Sequence, residues 1–387
     1  MPEAADLVLR AAEAGEVAPA PILAPARHRD DGGRRASRVP LAPVRLYEGR
    51  VGHPGSQMHP TPAPLALGII GAGIMGERML NAVLGQDGAP VRVAAIWDPS
   101  PAALARIAAA FPDVPRVADA AAVVAASECV YVASPPASHL GHARAALAAG
   151  RSVFCEKPLA VDLTEARDFV ARAGGRGAVN FPFASSLGVA ALSQWIAEGA
   201  VGAPRRLTIE VAFARWPRPW QADAARWLDA PQEGGFTREV VSHFLFLSRR
   251  LLGPLHDLTA RAEFPEAGRS ERAVAAEFRA GDVPVVLRGR VGDTAQDDHN
   301  TWTLNGEAGT VRLRDWAIAE RRRPDGGFEA APDAVPNERA RPIALRRQLE
   351  GVVRMTRGEP HHLATLAEAL EVQEIVEAIV TRGDAGR

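Results

Sequence analysis

Lysine is almost missing from this sequence: of 45 basic residues, Lys157 alone is a lysine and the rest are arginine. Arginine stays protonated in proteins, whereas a lysine ammonium gives up its proton readily when desolvated or set beside another cation. Codon bias accounts for the wealth of arginine but not for the position of the one exception. Cysteine is scarce too. Cys129 and Cys155 form no CxxC pair, which argues against a disulfide framework or a cysteine metal site and leaves a reducing cytoplasm as the simplest setting. No apolar run approaches the roughly 18 residues of a membrane-spanning helix, and the N-terminus lacks a basic-then-apolar secretory layout. A dominant charge is missing as well. With 45 basic and 46 acidic residues, no global field draws the chain to nucleic acid or to an anionic membrane. His361-His362 and Asp297-Asp298-His299 lack ligand spacing, so no metal is expected.

What is present divides along the chain. Residues 1–64 are rich in Ala, Pro and Arg, with almost no periodic apolar pattern after the first dozen positions. Such a stretch buries too little apolar surface to offset its ordering entropy. It reads as a disordered or mis-annotated extension, with Met58 a candidate start; the rival reading is a tail that docks on a partner subunit. From Leu65 apolar strands alternate with helical stretches as far as residue 182, the pattern of a parallel sheet covered on both faces. Residues 183–387 carry several strand-like runs and a last amphipathic helix over 363–379, pointing to an α+β domain. The fold class is therefore α/β: a Rossmann domain over 65–182, then an α+β domain with a large, mostly antiparallel sheet.

Gly71, Gly73 and Gly76 make a G-x-G-x-x-G between a predicted strand and a predicted helix. The first permits a tight turn, the second lets backbone approach a pyrophosphate, and the third lets helix pack on strand. The helix start at Ile74 and Met75 then offers free N–H groups to the phosphates. Asp98 ends the next strand, 22 residues beyond Gly76, where a carboxylate accepts from the adenosine ribose hydroxyls and repels a 2′-phosphate. NAD is expected over NADP. Capping of the following helix is the structural alternative for Asp98.

Further on stand Ser134-Pro135, His139 and the run Cys155-Glu156-Lys157-Pro158. Together they resemble the glucose-fructose oxidoreductase / inositol dehydrogenase / rhizopine-catabolism (Gfo/Idh/MocA) family of dehydrogenases. That resemblance implies that Ser134, Pro135, His139, Glu156 and Lys157 lie at the cofactor, with Lys157 at the reaction centre. It also aligns Gly234-Gly235 and His243 with the family's second site element, with Glu239 replacing an aspartate. His243 is then the general acid/base and Glu239 orients Lys157 or His243. Without the resemblance, His243 among apolar neighbours reads as a core histidine.

The departures from the family pattern are apolar. Val241 stands where glycine is usual, Phe246 where an aspartate would hold a polyol hydroxyl, and Phe181-Pro182-Phe183 follows Asn180. Asn180, Trp216 and Trp220 are candidate substrate contacts; core or subunit packing is the equal alternative for the tryptophans. The implied activity is hydride transfer between nicotinamide and a secondary alcohol or ketone carbon of a sugar-like, cyclitol or cyclic natural-product substrate. Reduction of an imine or conjugated double bond, and a non-catalytic NAD-binding regulatory protein, remain as alternatives. The family also implies a homodimer or homotetramer.

Overall fold

The computed structural model describes residues 63–85 and 90–382. The expectations for residues 1–62, including a start at Met58, lie outside the described residues. Among those described, no helix is long and apolar enough to cross a membrane.

The chain alternates first between β1 (Leu65–Ile70), α1 (Ile74–Leu84), β2 (Val91–Trp97), α2 (Pro101–Ala110), α3 (Ala120–Ala126) and β3 (Cys129–Val132). It continues through α4 (Pro136–Ala148), β4 (Ser152–Cys155), α5 (Leu163–Ala173) and β5 (Gly177–Val179). β1, β3 and β4 are buried at every position, as strands covered on both faces must be. Strands β1 to β5 run parallel in the order β5-β4-β3-β1-β2. This is a Rossmann-type sheet.

The second half holds α6 (Leu187–Ala197), β6 (Pro204–Phe213), α7 (Ala225–Leu228), α8 (Ser242–Leu252), β7 (Leu255–Glu263), β8 (Ala273–Ala280) and β9 (Val283–Val291). β10 (His299–Gly306), β11 (Thr310–Arg314), β12 (Ile318–Arg322) and β13 (Phe328–Ala330) complete an eight-stranded sheet ordered β13-β12-β11-β10-β6-β9-β8-β7. It is antiparallel except where β6 runs parallel to β9. Burial alternates along β6 and β10, so one face packs inward and the other is polar. Against this sheet α8 is buried over most of its length, with Phe244, Leu245, Phe246 and Leu247 fully enclosed.

The C-terminal segment departs from the expected division. α9 (Asn337–Thr356) returns to the first sheet, where Leu345, Leu349 and Val352 share a core with Leu67, Ile69 and Phe154. β14 (Ala364–Thr365) then pairs antiparallel with β5, occupying the edge that strand would leave open. α10 (Leu366–Arg382) follows, so the amphipathic stretch expected from 363 begins as strand rather than helix.

Candidate active site

At the carboxyl ends of β1 to β5 lies a cleft of about 700 Å³, closed on its other side by the second half and by α9. That is where open α/β sheets place their ligands. The glycine turn forms its floor. Gly71 has φ +106°, and a Cβ there would lie 2.5 Å from the Ala133 carbonyl. A Cβ on Gly76 would lie 2.1 Å from the Gly71 oxygen, so β1 and α1 approach as closely as backbone allows. Gly73 is different: a Cβ there meets nothing within 4 Å, and no side chain caps the α1 N-terminus. Uncapped N–H groups facing open space fit a dinucleotide pyrophosphate.

Asp98 accepts from Ala72 N through Oδ2 and from Ser100 N through Oδ1, both at 2.8 Å. Ser100, not Asp98, caps α2. The carboxylate is thereby fixed at the cleft wall. Arg106, which the sequence did not single out, donates to Ala72 O at 2.9 Å and to Glu77 at 2.6 Å, bracing the same turn.

Lys157 follows the end of β4. Its side chain is only 10% exposed, and Nζ donates to Glu239 Oε2 at 2.7 Å. Burying an ammonium to this degree requires such a partner. Beneath it runs a buried network. Tyr131 donates a short hydrogen bond to Glu156 Oε1, Asn180 Nδ2 donates to the same oxygen at 2.6 Å, and Gln348 Nε2 donates to Asn180 Oδ1 at 2.6 Å. Burial pushes the Glu156 carboxyl and the Tyr131 phenol up from their ordinary values. Asn180 therefore lines the cleft with its amide committed to Glu156 and Gln348. His139 holds the turn beside Lys157, its Nδ1 lying 2.8 Å from Pro158 O and its Nε2 2.7 Å from Ser134 O.

Glu239 and His243 come from the opposite side. Thr237–Val241 is a single π-turn running into α8, a widened geometry frequent at functional sites. Arg238 points away from the cleft and grips Glu377 of α10 with two bonds of 2.7 and 2.6 Å, which leaves Glu239 facing in. Gly235, at φ +100°, must be glycine, since a Cβ would lie 2.2 Å from Glu271 Oε2. Glu239 Oε1 is buried without a hydrogen-bond partner among the described residues.

The His243 ring meets Phe181, Phe183 and Trp316 edge-on, with centroids 5.5, 6.0 and 5.4 Å away. Burial, and then the charges of Lys157, Arg218 and Arg341, hold its pKa well below the ordinary value. Among the described residues no side chain hydrogen-bonds its nitrogens, and the ring lines the cleft. It is a histidine packed like a core residue that still faces the site.

Of the residues anticipated from sequence, Gly73, Ile74, Met75, Asp98, Ser134, Pro135, His139, Glu156, Lys157, Asn180, Trp220, Glu239 and His243 line this one cleft. Gly71 and Gly76 shape the turn behind it. Trp216 does not belong: it is buried against Phe213 and Phe236, and its Nε1 donates to Leu228 O at 3.3 Å. The apolar strand end carries it into the core, and Trp220 and Trp227 take the wall instead. Phe246 likewise stacks on Phe181 at 4.7 Å, outside the cleft. The sequence missed Trp316, which enters from a tight β11–β12 connection with φ +71°, and Arg78 and Arg341. Only an unusual backbone at Asp315-Trp316 marks the former, and nothing local marks the arginines.

The family model described as "Oxidoreductase family, NAD-binding Rossmann fold" matches residues 65–182, and that of the GFO/IDH/MocA C-terminal domain matches 189–312. No curated protein matches the sequence. Among solved structures, a putative myo-inositol dehydrogenase from Sinorhizobium meliloti is 21% identical with a TM-score of 0.66, covering 84% of this chain and 98% of that one. The WlbA dehydrogenase from Bordetella pertussis, solved with NADH and UDP-GlcNAcA, is 22% identical with a TM-score of 0.69, covering 84% and 96%. GenD2 from gentamicin A biosynthesis, solved with NAD, is 21% identical with a TM-score of 0.69, covering 88% and 98%. The chain belongs to the GFO/IDH/MocA oxidoreductase family and carries its NAD-binding Rossmann domain.

Proposed function

We propose that this protein is a dehydrogenase acting on a secondary alcohol or ketone carbon of a cyclic, sugar-like substrate, with Lys157 at the reacting oxygen. The observation that carries the reading is the 2.7 Å pairing of Lys157 with Glu239 beside His243, at the carboxyl ends of the parallel strands. Bound NAD supplies the hydride acceptor, or as NADH the donor. The chain's own groups manage the oxygen. Lys157 Nζ, held by Glu239, donates a hydrogen bond to it. His243, kept neutral near pH 7 by burial, has a ring nitrogen free to take the hydroxyl proton as the carbonyl forms, and returns it in the reverse direction. Phe183 and Trp316 flank His243, while Trp220 and Trp227 line the cleft beyond, offering apolar faces to ring C–H groups. Asp98 favours NAD over NADP.

Replacing Lys157 by Met tests the assignment. Loss of the ammonium that holds the reacting oxygen predicts a fall in kcat of about 10²–10⁴-fold with the NAD dissociation constant little changed. Wild-type turnover in that variant would remove Lys157 from the mechanism.

A further inference from the structure

The cleft is aromatic around His243, and it is also cationic. Arg78 on α1, Arg218 ahead of α7 and Arg341 on α9 converge there from positions far apart in sequence. The Trp220 ring lies between two of them, 4.9 Å from the Arg78 guanidinium and 4.8 Å from that of Arg218. Arg218 is neutralised by Asp298 at 2.5 Å. Arg78 and Arg341 are not. Among the described residues neither has a carboxylate within 4.0 Å, and the one hydrogen bond made by Arg78 is to the Met75 sulfur at 3.6 Å, a weak acceptor.

This is unlike the other enclosed arginines of the chain. Arg238 pairs with Glu377, Arg250 with Glu368, Arg272 with Asp229 and Arg312 with Glu320. A half-buried guanidinium without a carboxylate is costly, and two facing one space repel each other. The cost shows in both groups: burial and neighbouring arginines lower Arg78 to about 10 and lower Arg341 as well. Their position favours the substrate over the cofactor phosphates. Arg341 and Arg218 act electrostatically on His243 and Arg78 acts on Glu156, whereas the pyrophosphate cradle has its own uncapped N–H groups.

We propose that Arg78 and Arg341 form a subsite for an anionic substituent of the substrate, a carboxylate or a phosphate. The proposal rests on the reading of this cleft as the substrate site and narrows it: the substrate is a cyclic alcohol or ketone bearing an acid group. Planar guanidiniums match either anion through paired N–H donors, and a third arginine stacked on Trp220 closes the far side.

The test is anion binding by the NAD-saturated protein, which needs no turnover and so survives failure of the Lys157 assignment. Acetate and inorganic phosphate are titrated separately at constant ionic strength, following the rise in Tm. A saturable rise with either supports the subsite, and which anion acts distinguishes carboxylate from phosphate. Arg341→Met and Arg78→Met are expected to weaken that binding about tenfold or more, with partial recovery in Arg341→Lys. Without anion, Arg341→Met should melt no lower than wild type, because it removes a desolvated cation that Asp298 and Glu338 offset only from a distance. The proposal is overturned if neither anion raises Tm saturably, or if Arg341→Met retains the response. It is equally overturned if that variant loses NAD affinity in proportion, which would assign the guanidinium to the cofactor.

Discussion

Lys157 and Glu239 meet across 82 residues of sequence, and neither position explains the other until the chain is folded. Lys157 was legible because it is the one lysine and stands in a recognisable motif; Glu239 was legible only through the family resemblance. Asp98 is the clearer single-residue case. Both of its oxygens already hold backbone N–H groups at the glycine turn and the α2 entrance, so the carboxylate cannot swing aside for a 2′-phosphate. We expect kcat/KM with NAD to exceed that with NADP by about tenfold or more, and Asp98→Ala to erase most of the gap. That variant also gives up two charge-assisted hydrogen bonds, each worth about 1.5–3 kcal/mol at most, so its NAD affinity falls too. Steady-state kinetics with both cofactors measures this directly, and a wild-type preference for NADP would refute the role. Trp216 and Trp220 mark the limit at this scale. They sit four apart in an irregular stretch, where no periodicity says which ring turns inward.

In the proposed cofactor site the β1–α1 turn carries the pyrophosphate, and its three glycines serve separable purposes. Gly71→Ala forces a side chain into a left-handed backbone and against the Ala133 carbonyl, so a loss of about 3 kcal/mol or more is expected. Gly73 has φ −80° and open space before it. Gly73→Ala should leave Tm within about 2 °C while weakening NAD binding about tenfold, since the new methyl occupies the approach to the helix N-terminus. Thermal melts and NAD titration of the two variants separate folding from binding; equal NAD affinity in Gly73→Ala would deny the turn its role. Strands β1 to β5 and helices α1, α2, α4 and α5 were readable because strands covered on both faces are largely apolar and the helices alternate with them. α9 was not. It is arginine-rich and contains Pro342, yet its apolar residues at 345, 349 and 352 recur at helical spacing. The π-turn at Thr237–Val241 also leaves no composition signature; within it Arg238 pairs with Glu377 of α10 and Glu239 with Lys157 of the first half.

At the scale of the whole molecule, the cleft exists because the chain returns. α9 brings Arg341 and Gln348 to the first sheet, and the loop that follows is tied down by His362, whose Nε2 lies 2.8 Å from Ser185 Oγ. This loop is surrounded by cations. Burial, then Arg347, Arg250, His361 and Arg354, lower the His362 pKa to about 4, and His139, His142, His243 and His361 are also lowered. A histidine held neutral in the fold takes up its proton in the unfolded chain first. Stability is therefore fully present above the unfolded value near 6.5 and is lost as pH falls toward the folded value. For His362 the loss between pH 7.5 and 5 is about 2 kcal/mol, from roughly 1.4 kcal/mol per unit of pKa difference. The other four add losses of the same sign. The buried carboxyls of Glu156 and Glu271, whose pKa values are raised, oppose them by binding protons earlier in the folded state. Urea unfolding at the two pH values is thus expected to show a marked drop toward acid. In His362→Gln, which keeps a hydrogen-bonding end but cannot titrate, that drop should shrink by about 2 kcal/mol. An identical pH dependence in the variant would mean that the loop already yields its histidine to solvent, and that the returning segment is not held by this contact.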